Sequence, residues 1–184
     1  MDRLLRSVDR RTVEGARRGA LRLLFVLVAI AGTAGCSRTG GPPLAHTFDS
    51  PEQLAAAVAA AIERNDADRL LSLALTEQEF RWHVWPRLPA SRAERGVPFG
   101  LVWGQLYSKS RAYLRQTLAA HGGRRLHVVR VRFRGDATDH GAFRVRREAE
   151  VVVRDENGAE RSVRLFGSVL EQGGRYKLFS YVVD

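Results

Sequence analysis

Few residues in the chain have chemistry to offer. Of 184 residues one is cysteine, Cys36, and five are histidine. A single cysteine excludes an intrachain disulfide, so Cys36 is either a free thiol or a modified one. Four other side chains stand out by position: Trp103, Tyr107, His127 and Arg147. Alternation places His127 with Val129, Val131 and Phe133, and Arg147 with Phe143, Val145, Ala149, Val151 and Val153. A guanidinium on an apolar face requires a carboxylate or other acceptors. Arg147 therefore holds the anionic group of a ligand in a pocket, pairs with a helix carboxylate, or is turned outward by a β-bulge at Arg146-Arg147. His127, at a strand start, is either a base in that pocket or a partly exposed histidine. Trp103 and Tyr107, with Phe80, Trp82 and Trp85, either line a cavity or pack a core.

Other chemistry is not signalled. Asp136, Asp139 and His140 match no metal-ligand spacing, and no phosphate-binding glycine loop, zinc pattern, serine elbow or paired-carboxylate signature is present. No metal, cofactor or catalytic residue is expected. The formal charge is +10, yet Lys109 and Lys177 are the only lysines. Such arginine bias reflects either a GC-rich genome or an anionic partner. Arg130, Arg132, Arg134, Arg144 and Arg146 share one strand face, with Glu148 and Glu150 between. That face is either a solvated lattice of cross-strand ion pairs or a basic surface held against anionic lipid or another polyanion. Nucleic acid is not expected as a partner.

The apolar run Leu23–Gly35 is thirteen residues long. As a helix it spans roughly 20 Å, short of the about 30 Å of a bilayer's hydrocarbon core. Arg10, Arg11, Arg17, Arg18 and Arg22 precede it and small residues follow, the pattern of an export signal. Thr33-Ala34-Gly35-Cys36 resembles the lipobox of bacterial lipoproteins. The resemblance implies cleavage before Cys36, a diacylglycerol on its sulfur and an acylated new amino terminus. Two or more acyl chains anchor stably where one does not. It further implies a cell-envelope location, lipid-anchored, with Ser37 directing transfer to the outer membrane, facing the periplasm.

Three segments follow: a signal peptide at 1–35, the lipidated cysteine and a flexible Gly/Pro-rich tether at 36–50, and a domain at 51–184. Ser50-Pro51-Glu52-Gln53 starts a helix with Leu54, Val58, Ala61 and Ile62 on one face. A second helix covers 67–75, and Thr76-Glu77-Gln78-Glu79 caps a third that stops at Pro86. After an irregular stretch to Pro98 comes a long helix striped by Trp103, Leu106, Tyr107, Leu114 and Leu118, ended by Gly122-Gly123. Four strands are expected at 124–134, 143–154, 160–171 and 175–183, with tight turns at Asn157-Gly158 and Gly173-Gly174. An antiparallel meander after helices is α+β.

This order of elements, with the terminal GSVLEQGGRYKLFSYVVD, resembles the NTF2-like (SnoaL-like) superfamily. That resemblance implies N-terminal helices packed on a curved four-stranded antiparallel sheet as a cone. It also implies dimerisation through the sheet, where Phe166, Leu170, Tyr176, Leu178 and Val182 form an apolar patch. The expected function is a lipid-anchored envelope protein whose domain is a binding or interaction module. The alternative is a small enzyme of isomerase or dehydratase type using a residue in the cone.

Overall fold

Local capping chemistry sets the first three helices. Residues 41–155 and 157–183 are described by a computed structural model. The leader 1–35 and Cys36, with its proposed lipid, lie outside the described residues. Helix α1, Pro51–Glu63, begins at Ser50, whose hydroxyl accepts the Gln53 N–H at 3.1 Å. It buries Leu54, Val58, Ala61 and Ile62, and Asn65 beyond it takes a left-handed φ of 53°. Helix α2, Ala67–Leu73, is capped by Asp66. Helix α3, Glu77–Glu79, is a single turn closed by a reciprocal capping box between Thr76 and Glu79. It continues as a π-turn at Phe80–Val84 and three short 3-10 turns ending at Arg95. Helix α4, Phe99–His121, follows Pro98 and stops at Gly122.

Seven strands follow: β1 His127–Phe133, β2 Thr138–Asp139, β3 Arg144–Arg146, β4 Ala149–Arg154, β5 Glu160–Val163, β6 Ser168–Gln172 and β7 Arg175–Ser180. The fold is α+β with two antiparallel sheets, β1-β4-β5 and β2-β3-β6-β7. This corrects the expected single four-stranded sheet. The neighbour order is the expected meander, but the segments break after Phe133, at Arg147-Glu148 and at 164–167. Two of these breaks have identifiable backbone causes, one local and one long-range. Glu148 is left-handed, with φ 53°. Gly167 lies so close to the chain's end that a Cβ there would stand 1.4 Å from the Val182 carbonyl oxygen. Backbone bonds still cross the breaks, from Arg134 N–H to Glu148, Ala149 N–H to Gly167 and Gly167 N–H to Ser180.

Two apolar clusters form. The first joins α1 and α2 to Val151, Val153, Val163, Val169, Leu178 and Tyr181. The second joins Phe80 and Val84 to Phe143, Val145 and Leu170, with Phe99, Val102, Trp103 and Leu106 of α4 against it. Strands β6 and β7 therefore carry core on both faces. The apolar patch expected to attract a second copy is largely consumed: Phe166 and Leu178 are buried in the first cluster and Leu170 in the second.

The stretch 41–50, expected as tether, is strapped to the domain. Ala45 N–H donates to Glu79 at 2.7 Å and Phe48 pairs with Tyr176 on β7. Arg175 donates to the Thr47 carbonyl at 2.9 Å and pairs with Asp49. The domain thus starts some ten residues before its first helical cap.

Candidate functional site: an amphipathic cleft beside helix α4

Trp103, Tyr107 and Arg111 are spaced four apart, which puts them on one flank of α4. They face a cleft of about 450 Å³ whose far wall is Leu71, Ser72, Ala74, Leu75, Thr76 and Glu77. Leu106 and Phe179 also line it. The volume suits a small ligand. Trp103 and Tyr107 stack with centroids 5.6 Å apart and planes 24° apart. The Arg111 guanidinium stands 5.6 Å from the Tyr107 ring.

Most polar groups of the cleft are already engaged. Ser110 Oγ accepts the Tyr181 N–H at 3.1 Å, and the Ser72 hydroxyl donates to the Arg69 carbonyl at 2.8 Å. Thr76 serves the α3 cap, and Glu77 pairs with Arg81 at 2.9 Å. Arg111 forms no ion pair among the described residues, so it is the wall's available charge. An apolar, aromatic-walled cleft with one guanidinium at its rim can hold an amphipath with an anionic end.

A second cleft of about 350 Å³ lies on the other flank of α4. It is lined by Val102, Gln105, Lys109, Val145, Arg147 and Ser168 among others, and it shares Leu106 and Phe179 with the first.

The four sequence candidates therefore separate. Trp103 and Tyr107 come together in the first cleft, while Arg147, exposed at the β3–β4 break, lines the second. His127 is exposed and lines neither. Its displacement has a register cause: the β1–β4 pairing shifts between Val128 and Arg130. Val128 and Val131 both pack on the core, and His127 is left on the other side of the strand. Phe80 and Trp85 belong to the second cluster, whereas Trp82 is 55% exposed. Arg111, which the sequence reading does not single out, stands four residues beyond Tyr107 on the same flank of the helix.

The arginine-rich strand face is laced with ion pairs. Arg134 meets Glu150 at 2.8 Å, Arg146 meets Glu171 at 2.7 Å, and Arg154 meets Glu160 at 2.8 Å. Arg144 and Arg130 lie 3.4 and 3.8 Å from Asp139 and Glu160. This is a solvated lattice whose exposed pairs contribute little each.

A further polar group sits inside. Lys177 is fully buried and its Nζ donates to the Ala45 carbonyl at 2.8 Å, 3.5 Å from Glu79. Burial pulls its ammonium below the usual lysine range, against the opposing pull of Glu79. Burial alone would raise Glu79, but the N–H groups of Thr76 and Ala45, with Lys177, outweigh it and hold the carboxyl low. Tyr181, also buried, donates to the Leu70 carbonyl at 2.7 Å, and burial pushes its phenol up.

Among the described residues no three His, Cys, Asp or Glu side chains gather as a metal site. No helix there is long and apolar enough to cross a membrane. No family model, curated protein or solved structure matches the chain.

Proposed function

We propose that the chain is a lipid-anchored cell-envelope protein, held through acylated Cys36, whose α+β domain is a binding module for a small amphipathic anion. The anchor reading is supported by the order basic stretch, short apolar run, small residues and cysteine. The binding reading is carried by the cleft, in which Trp103 and Tyr107 present an apolar wall and Arg111 a charge with no ion pair among the described residues. An NTF2-like cone is the architecture we favour for the domain. It is supported by strand breaks at three neighbouring positions and by the first apolar cluster, which α1 forms with those strands.

Binding rather than catalysis fits the lining. The first cleft has one carboxylate, Glu77, which is half exposed and committed to Arg81, and no histidine or aspartate lines either cleft. Proton transfer needs a group free to exchange a proton with substrate.

Thermal denaturation against a panel of aliphatic and aromatic monocarboxylates tests the module. A ligand at a hundred times its Kd should stabilise by about 2.7 kcal/mol. Arg111→Ala should weaken the effect for carboxylates but not for their amides, and Tyr107→Ala should weaken both. Absence of any stabilisation across the panel would contradict the reading.

A further inference from the structure

We infer that the face built by the π-turn and 3-10 turns, around Trp82, docks on the anionic surface of the bilayer that holds the anchor. The inference rests on the anchor proposed above. Only five peptide units separate Cys36 from Gly41. At most about 3.6 Å per residue gives a reach of about 18 Å. A domain of this length is on the order of 40 Å across. The leash is shorter than the body it holds, so the side where Gly41 emerges must face the membrane.

That side has a membrane-facing composition. Gly41 lies against Trp82, where a Cβ on Gly41 would come within 2.4 Å of the Trp82 Cβ. The Pro42 carbonyl is 2.7 Å from His83 Nε2. Strapping by Ala45, Phe48 and Arg175 then fixes the emergence point to the domain. Trp82 is 55% exposed, and an indole favours the bilayer interface. Residues 80–98 hold four arginines and one carboxylate, Glu94. Arg87, Arg92 and Arg95 are exposed and form no ion pair among the described residues. Four of the five strand-face arginines, Arg130, Arg134, Arg144 and Arg146, by contrast have carboxylate partners, and only Arg132 forms no ion pair among the described residues. Charge unopposed on the segment that meets the leash through Trp82 and His83 is what an anionic headgroup layer complements.

The test uses the native anchored protein, purified from membranes and reconstituted into phosphatidylcholine vesicles with or without phosphatidylglycerol. Some lipids carry bromine near the headgroup to quench tryptophan. Docking predicts quenching that rises with phosphatidylglycerol, falls with salt and disappears in Trp82→Phe. Each arginine near an anionic surface is worth about fivefold. The triple Arg87→Gln, Arg92→Gln, Arg95→Gln variant should therefore lose on the order of a hundredfold in the docking equilibrium. Quenching that persists in Trp82→Phe, or ignores both lipid charge and the triple variant, would overturn the docking and leave the anchor intact. Mass analysis of the same preparation scores the anchor separately, and an unmodified Cys36 would remove both.

Discussion

A lysine with no water to meet must be held by protein groups alone, and Lys177 is held by a carbonyl and a carboxylate from two distant segments. The Glu79 carboxylate does triple duty, accepting N–H groups of Thr76 and Ala45 while facing Lys177. Its folded form binds protons more weakly than the unfolded chain, so its stabilisation is full above the ordinary carboxylate range and is lost as pH falls below that range through the lowered folded value. Lys177 also binds its proton more weakly when folded, so stability rises as pH climbs toward the ordinary lysine range. Both shifts act in the same direction. Glu79→Gln leaves a buried cation uncompensated and should cost about 3–5 kcal/mol at neutral pH. Adding Lys177→Met should recover part of that loss and flatten the acid-side pH profile. Urea midpoints across pH measure both, and an undiminished acid loss in the double variant would contradict the role given to Glu79.

At the scale of elements, short-range signals proved legible and long-range ones did not. Ser50 and Thr76 announce their helices because a cap is made within three residues. Gly158, Gly173 and Gly174 announce their turns because their left-handed φ is local. The bulge at Val129 leaves no mark on an otherwise alternating run, and one extra residue sent His127 to the wrong face. The burial of Lys177 depends on a carboxylate 98 positions earlier, although its period-two relation to Phe179 and Tyr181 hinted at an inward face. Gly167 is the sharpest case, because its need arises from Val182. Gly167→Ala should destabilise by about 3 kcal/mol or more, since backbone would have to move. A chemical-denaturation midpoint within error of the parent would show that the strand break is not maintained by that approach.

At the scale of the whole molecule, residues 41–50 change how the protein is understood. A stretch rich in glycine, proline and small polar residues reads as free tether, yet its later half is bonded to α3 and β7. What remains between Cys36 and the domain is short, so an anchor there would place the domain at the membrane with a defined side down. On the proposed function, the cleft beside α4 would then be a binding site carried at a bilayer surface, where amphipathic ligands concentrate. Everything in this picture depends on lipid at one sulfur. The direct measurement is the mass of the amino-terminal peptide of the protein purified from its own membranes. A peptide beginning at Cys36 and carrying diacylglycerol with an acylated amino group is the expected result. A peptide with the leader cut elsewhere, or with Cys36 as an unmodified thiol, would contradict it.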